Sequence, residues 1–228
     1  MNRNIKLTVF LCLLFIVLVF FFTYVRISRN NSADTLSTEQ LRELGAVVYE
    51  KPVMLSPFTL TDQRGQVFNE GSLKGSWTLF FFGFTHCPDI CPLTLTELSQ
   101  FYRDLERSGI YPDTQVVMVS VDPQRDDADS LATYMSSFHP DFIGLNGDFE
   151  EISTLAKELY IAHSMPPGMA AHDDPHADHA AALEQDYVID HSGNILLINS
   201  AGLYQGFFDT AIQDDEISAA YKAIRAAY

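Results

Sequence analysis

The strongest constraint on the fold is the run WTLFFF at 77–82, apolar and aromatic along its length. A run of that kind suits a strand buried on both faces, and such a strand needs helices packed above and below its sheet. The following residues supply one: within 93–107, apolar side chains at Leu95, Leu98, Phe101, Tyr102 and Leu105 make a helical stripe. QVVMVSVD, 115–122, then reads as a second buried strand, followed by a helix over about 127–138. Strand, helix, strand, helix is the signature of parallel pairing with crossover helices.

The remaining segments extend this pattern. Residues 38–44 suit a short helix ended by Gly45, and PFTLTDQRGQVFN suits two short strands about an Arg64-Gly65 turn. FIGLNG is short enough to be strand or loop, and residues 148–160 read as a helix. YVID and NILLIN flank Ser192 and Gly193 as a hairpin, and a last helix covers about 214–227. The expected fold is an α/β, thioredoxin-like mixed sheet flanked by helices, with an N-terminal hairpin. The long irregular stretch, 161–186, reads as an insertion loop, a length uncommon unless functional or disordered.

Residues 7–25 form a nearly unbroken apolar run, about 28 Å long as a helix, against a hydrocarbon core of about 30 Å. It is longer than the core of a cleaved signal peptide and ends in Tyr24, Val25 and Arg26 rather than a small-residue cleavage site. The expected organisation is a single transmembrane anchor at 1–29, a tether and short helix at 30–45, and one domain at 46–228. Cys12 sits inside the apolar run and reads as an inert membrane thiol. Few residues precede the run, too few for an Arg-rich transit peptide, which favours a bacterial cytoplasmic membrane with the domain facing the periplasm or exterior. Beyond the anchor the chain keeps all 30 acids but only 10 of its 14 bases. That balance repels phosphate backbones and excludes nucleic acid as the expected partner.

Two of the three cysteines, Cys87 and Cys91, lie in FFFGFTHCPDICP, directly after the first buried strand, each followed by proline. Proline disfavours the helical region for the residue before it, so both cysteines should not lie inside a regular helix. Pro92 suits the first helical position, with Cys91 near the cap, where amide donors and the helix dipole favour thiolate. One turn of separation, roughly 6 Å between alpha carbons, permits a disulfide, a redox pair or two metal ligands. A zinc ribbon needs a second pair that the sequence lacks. A peroxiredoxin-type cysteine follows a threonine by three residues, whereas Thr85 precedes Cys87 by two. His191, after DYVID at an expected strand end, is placed to project over the same end of the sheet.

FGFTHCPDICP, VSVDPQRD, FIGLNGD and DYVIDHS occur here in the order and approximate spacing found in the Sco family, also called SenC. The chain resembles these copper proteins of cytochrome c oxidase assembly over roughly 53–225. The resemblance implies that Cys87, Cys91 and His191 bind copper, as Cu(I) or Cu(II). It also implies a metallochaperone rather than an enzyme, one that delivers copper to the copper A centre of oxidase subunit II. The alternative is a thiol–disulfide oxidoreductase that keeps that centre's cysteines reduced, with Cys87 and Cys91 as its redox-active pair and a thioredoxin-like reductant as its own electron source. Two thiolates and an imidazole suit Cu(I) on chemical grounds, and three ligands leave the ion transferable. Asp89 and His86 fall outside the family's ligand positions and are given tuning roles at most. Asp122 and Asp190 are expected to hold loops, with orientation of His191 as a lesser role.

General thioredoxins carry two residues between their cysteines and a proline before the hairpin strand; this chain has three, and Asp186 before YVID. The insertion HSMPPGMAAHDDPHADHAA, 163–181, concentrates histidine and methionine. Met165, Met169, His172, His176 and His179 form either a second, labile copper-collecting site or a polar insertion that takes metal adventitiously.

Overall fold

The structure, a computed structural model, describes residues 12–23, 36–161, 193–209 and 213–228. Residues 12–23 are helical (α1), with Leu13 through Phe22 exposed around its circumference. Among the described residues no helix is long and apolar enough to cross a membrane, and the two ends of the expected span, 7–11 and 24–25, lie outside them.

The ordered domain opens with a capping box. The Ser37 hydroxyl accepts from the Gln40 amide, the Gln40 side chain accepts from the Ser37 amide, and helix α2 runs Thr38–Glu43. Gly45, in the left-handed region at φ 69°, turns the chain into strand β1, Ala46–Met54. Strands β2, Thr59–Asp62, and β3, Val67–Asn69, form the expected hairpin, the Asp62 carboxylate accepting from the Arg64 and Gln66 amides across the turn. Then come β4, Trp77–Gly83, α3, Ile90–Ser108, β5, Thr114–Ser120, α4, Ala128–Phe138, and β6, Ile143–Asn146. The chain closes with α5, Phe149–Glu158, β7, Ile195–Ile198, β8, Leu203–Phe208, and α6, Asp214–Ala227.

The eight strands among the described residues form one sheet in the order β1-β8-β7-β4-β5-β6-β2-β3. The two seven-residue strands β4 and β5 lie side by side at its centre, pairing in parallel from Trp77 opposite Thr114 to Gly83 opposite Ser120. β5 pairs in parallel with β6, while β7, β8 and β1 continue the other side antiparallel. Leu95, Leu98 and Phe101 of α3, Leu131 and Met135 of α4, and Ile217, Tyr221 and Ile224 of α6 share one core with Leu79, Phe81 and Met118 of the sheet. Ile152, Leu155 and Ala156 of α5 cover the opposite face with Phe80, Phe82 and Val117. At the C-terminus one guanidinium nitrogen of Arg225 donates to both Asp113 carboxylate oxygens, at 2.8 and 2.9 Å, and the group lies over the Trp77 and Tyr111 rings, which fixes α6 on the core.

NILLIN forms β7, which pairs with β4 on one edge and with β8 on the other across a turn at Asn199–Gly202; YVID, its expected hairpin partner, lies outside the described residues. The N-terminal hairpin joins the main sheet, where β2 pairs with β6 and extends it. FIGLNG resolves as the strand β6.

β8 passes closest to β1 at Gly206, where a Cβ would lie 2.0 Å from the Val47 carbonyl oxygen. Gly206→Ala must push two backbones apart and is expected to cost about 3 kcal/mol or more. Urea unfolding of the two proteins checks this; an unchanged midpoint would show that the strand contact is looser than described.

Candidate metal centre

The central strand delivers the cysteines to the carboxyl end of the sheet, where open α/β folds place their sites. β4 ends at Gly83, the buried Phe84 continues its line, and Thr85, His86 and Cys87 turn the chain into α3. The Cys87 amide donates to the Phe84 carbonyl at 3.2 Å, and the Cys91 amide donates to the Cys87 sulfur at 3.4 Å. A sulfur thus occupies the place of a helix cap. Asp89, the N-cap residue by backbone geometry, makes no side-chain capping bond. The helix starts at Ile90, earlier than Pro92 suggested, because a first-turn residue needs no intrahelical amide bond and Pro92 loses nothing there. Of the two cysteines only Cys91 is helical, as the prolines required.

The sulfurs differ in access. Cys91 is 1% exposed, whereas Cys87 is partly open. Gly83 makes room for the buried sulfur: a Cβ there would lie 2.9 Å from the Cys91 Sγ and 3.2 Å from the Met118 Sδ. No disulfide joins the two cysteines.

A buried carboxylate that the sequence reading did not single out holds the turn. Asp126, with no exposed surface, accepts from the Thr85 amide at 3.0 Å, the Thr85 hydroxyl at 2.6 Å and the Ser120 hydroxyl at 2.6 Å. The segment leading to Cys87 is thereby tied to the end of β5. Asn146 at the end of β6 donates to the Asp126 carbonyl at 2.5 Å, bringing a third strand to the same point. Asp122 binds Arg125 within its own loop, as expected of a loop-holding residue, and that guanidinium lies 5.9 Å from the Phe84 ring centre. His86 is exposed, with its Nδ1 3.0 Å from the Thr85 hydroxyl.

The electrostatics reverse one expectation. The Cys91 thiol is held well above the usual thiol range, first by its hydrogen bond with Cys87, then by burial and by the charge of Cys87, against a smaller lowering by the Phe84 backbone. Burial and the neighbouring sulfur outweigh the helix N-terminus, and Cys91 keeps its proton in the metal-free pair. Burial raises Asp126, opposed by its bonds from Ser120 and Thr85. Tyr134 of α4 is raised by burial and then by the charges of Cys91, Cys87 and Asp126.

Among the described residues no three His, Cys, Asp or Glu side chains come together as a metal cluster; the cysteines supply two donors. His191, Asp190, Met165, Met169, His172, His176 and His179 lie outside the described residues. A partly exposed and a buried sulfur one turn apart can ligate a soft metal ion, or exchange with a disulfide.

The model of the SCO1/SenC family matches residues 48–226. The chain is 34% identical over 171 residues to the mitochondrial SCO2 homolog of Homo sapiens, covering 75% of this chain and 59% of the relative. It is 34% identical over 176 residues to a SCO2-like protein of Rickettsia prowazekii, covering 77% and 79% of the two chains. Among solved structures it resembles Arabidopsis thaliana ScoI with copper bound, at TM-score 0.63 and 31% identity over 77% of this chain and 100% of that one. It spans less than two thirds of the human relative's length.

In the reduced protein, alkylation by iodoacetamide is expected to modify Cys87 at least about tenfold faster than Cys91. Because the Cys91 pKa is raised, its slow rate should persist as pH rises through the ordinary thiol range. Mass spectrometry of tryptic peptides after timed quenching reads both rates; equal rates would refute the asymmetry.

Proposed function

Because the chain belongs to the SCO1/SenC family, we propose that it is a membrane-anchored copper metallochaperone that holds one copper through Cys87, Cys91 and His191 and hands it to a copper site of cytochrome c oxidase. The cysteine turn carries this reading: two sulfurs converge at the sheet's carboxyl end, one open to a partner and one backed by the core. Copper is bound in solved structures of relatives from Arabidopsis thaliana, Bradyrhizobium japonicum and yeast, at 31 to 33% identity. BsSco, a member of the Sco family of cytochrome c oxidase assembly proteins, has the same fold at TM-score 0.57. The exposed apolar surface of α1 supports the anchor, since a helix apolar all round belongs in lipid or in a core.

Copper is the cargo in this reading. A soft cation selects the two thiolates, and binding releases the proton that Cys91 otherwise keeps. His191 completes three-coordination. Transfer proceeds by ligand exchange: an acceptor thiolate bonds to the copper, Cys87 leaves first as the accessible ligand, and the oxidation state does not change. Asp126 keeps the turn in place while its sulfurs change partners.

The second reading is thiol–disulfide exchange with the oxidase cysteines. One observation favours it: an open Cys87 beside a protonated, buried Cys91 is the arrangement of an attacking and a resolving thiol.

Copper titration of the full chain, reduced and in detergent, against Cys87→Ser and His191→Ala separates the two. The metallochaperone should hold one Cu(I) tightly and lose more than about 100-fold in affinity in either variant, beyond what an outer hydrogen-bond partner contributes. His191→Ala should still reduce a disulfide substrate. Absence of tight copper in the unaltered protein, with rapid disulfide reduction, would overturn the carrier reading in favour of the reductase.

A further inference from the structure

The helices α3, α4, α5 and α6 all begin at the end of the sheet that carries the cysteines. β4, β5 and β6 are parallel, and β8 runs with them because both it and β4 pair antiparallel with β7. The four helices follow these four strands in turn. The Asp214 amide at the start of α6 donates to Glu97 of α3 at 2.9 Å, which fixes that start beside the cysteine helix.

A helix favours acids in its first turn and bases in its last, because of the partial charges at its ends. Parallel topology adds these preferences together. Asp129 lies in the first turn of α4, Glu150 and Glu151 in that of α5, and Asp214, Asp215 and Glu216 in that of α6. The last turns carry Arg107, Lys157 and Arg225, at the opposite end. Each acid serves its own helix, yet together they make the cysteine end of the domain its negative pole.

Among these helices α3 is the exception, with no acid in its first turn. Pro88, Asp89 and Ile90 are exposed there, and Leu93 on the same turn is 61% exposed. The Asp89 carboxylate makes no capping bond, while the Cys87 sulfur takes the Cys91 amide. Exposed apolar side chains are ordinary when scattered, but these adjoin the partly exposed Cys87. Exchange at that sulfur, whether of a metal ion or of a disulfide, brings a second sulfur into contact with it. The chain that carries the incoming sulfur must therefore cover the surface beside Cys87.

We propose that the first turn of α3 and the acidic collar around it form a docking surface for a protein that presents its exchanging thiols on an apolar loop bordered by Lys or Arg. Ile90 and Leu93 are covered by the loop, and its bases meet Asp89 and the acids that open α4 and α6. α5 covers the opposite face of the sheet, so its acids add to the long-range field rather than to the contact. Complementary charge steers the encounter and sets its orientation, while the apolar centre excludes water around the exchanging sulfurs.

This inference rests on the reading of Cys87 as the exchanging sulfur, which the carrier and the reductase share. Two synthetic peptides test it, each with a pair of cysteines separated by leucines, bordered by lysines in one and by glutamates in the other. Reduced and mixed with the Cu(I)-loaded full chain in uncharged detergent, they take the ion by ligand exchange, read as copper in the peptide fraction after size exclusion. Two copper–sulfur bonds to the protein break, two to the peptide form, and the peptide's thiol protons pass to the vacated sulfurs. At low salt the lysine peptide should take copper at least about tenfold faster, and the ratio should fall toward one at about 0.5 M salt. A lysine peptide with serines in place of its leucines should be several-fold slower with the unaltered protein, and that preference should vanish in Leu93→Ser. Equal rates for the lysine and glutamate peptides at low salt, or a leucine preference that survives Leu93→Ser, would overturn the docking surface. If the unaltered protein held no tight copper, the carrier reading would fall separately. The same ratios would then be read with the peptides as disulfides, each opened to a dithiol as Cys87 and Cys91 close to a disulfide, and equal rates there would dispose of the surface as well.

Discussion

Asp126 is the fixed point around which the site is arranged. Burying a carboxylate without partners costs several kcal/mol, and this one has no exposed surface. Two hydroxyls and one backbone amide offset that cost, each bond to a charged group contributing about 1.5–3 kcal/mol. Burial still dominates, so its folded-state pKa is raised. The sign follows: the protein retains the benefit of the neutral acid below the unfolded carboxyl range and loses it as pH rises through the raised value. What that expense secures is position, since Thr85 comes two residues before Cys87, Ser120 ends β5, and Asn146 ends β6. One side chain and its own carbonyl thus gather the ends of three adjacent strands under the cysteine turn.

The central strands make such a gathering possible. Because β4, β5 and β6 are parallel, their carboxyl ends emerge together, and the crossover helices α3 and α4 return side by side over one face. The site then combines a loop from β4, a helix start from α3 and a loop from β5. Gly83 belongs to the same design, because the last β4 residue must leave the Cys91 sulfur room against the sheet. Burial and the neighbouring sulfur hold the Cys91 thiol above its usual range while Cys87 stays partly exposed, so a single turn separates a protected sulfur from a more accessible one.

How much of this could be read from the residues depended on whether a feature is local. β4, β5 and the helices α3 to α6 show as continuous apolar runs or helical stripes, and Asp127 and Asp148 cap their helices as their positions suggested. β1 and β8 escaped notice because Glu50, Lys51 and Pro52 interrupt the first, and Gln205 and Gly206 the second. Gln205 is completely buried, satisfied by the Tyr49 carbonyl and the Asn199 side chain, partners no periodicity can reveal. The cysteine pair was legible because its spacing, prolines and preceding strand lie in one stretch. Asp126 left only a faint signal, an acid four residues beyond Asp122 at a strand end, and Gly83 left none. Its role exists only once β4 and α3 are packed together.

The central claim, that the cysteine turn is two thirds of a copper site completed by His191, is tested most directly by X-ray absorption at the copper edge of the Cu(I)-loaded full chain. The account predicts two sulfur scatterers and one imidazole nitrogen, with the imidazole signal lost in His191→Ala and both sulfurs retained. A first shell of nitrogen and oxygen alone, or one that His191→Ala leaves unchanged, would contradict it.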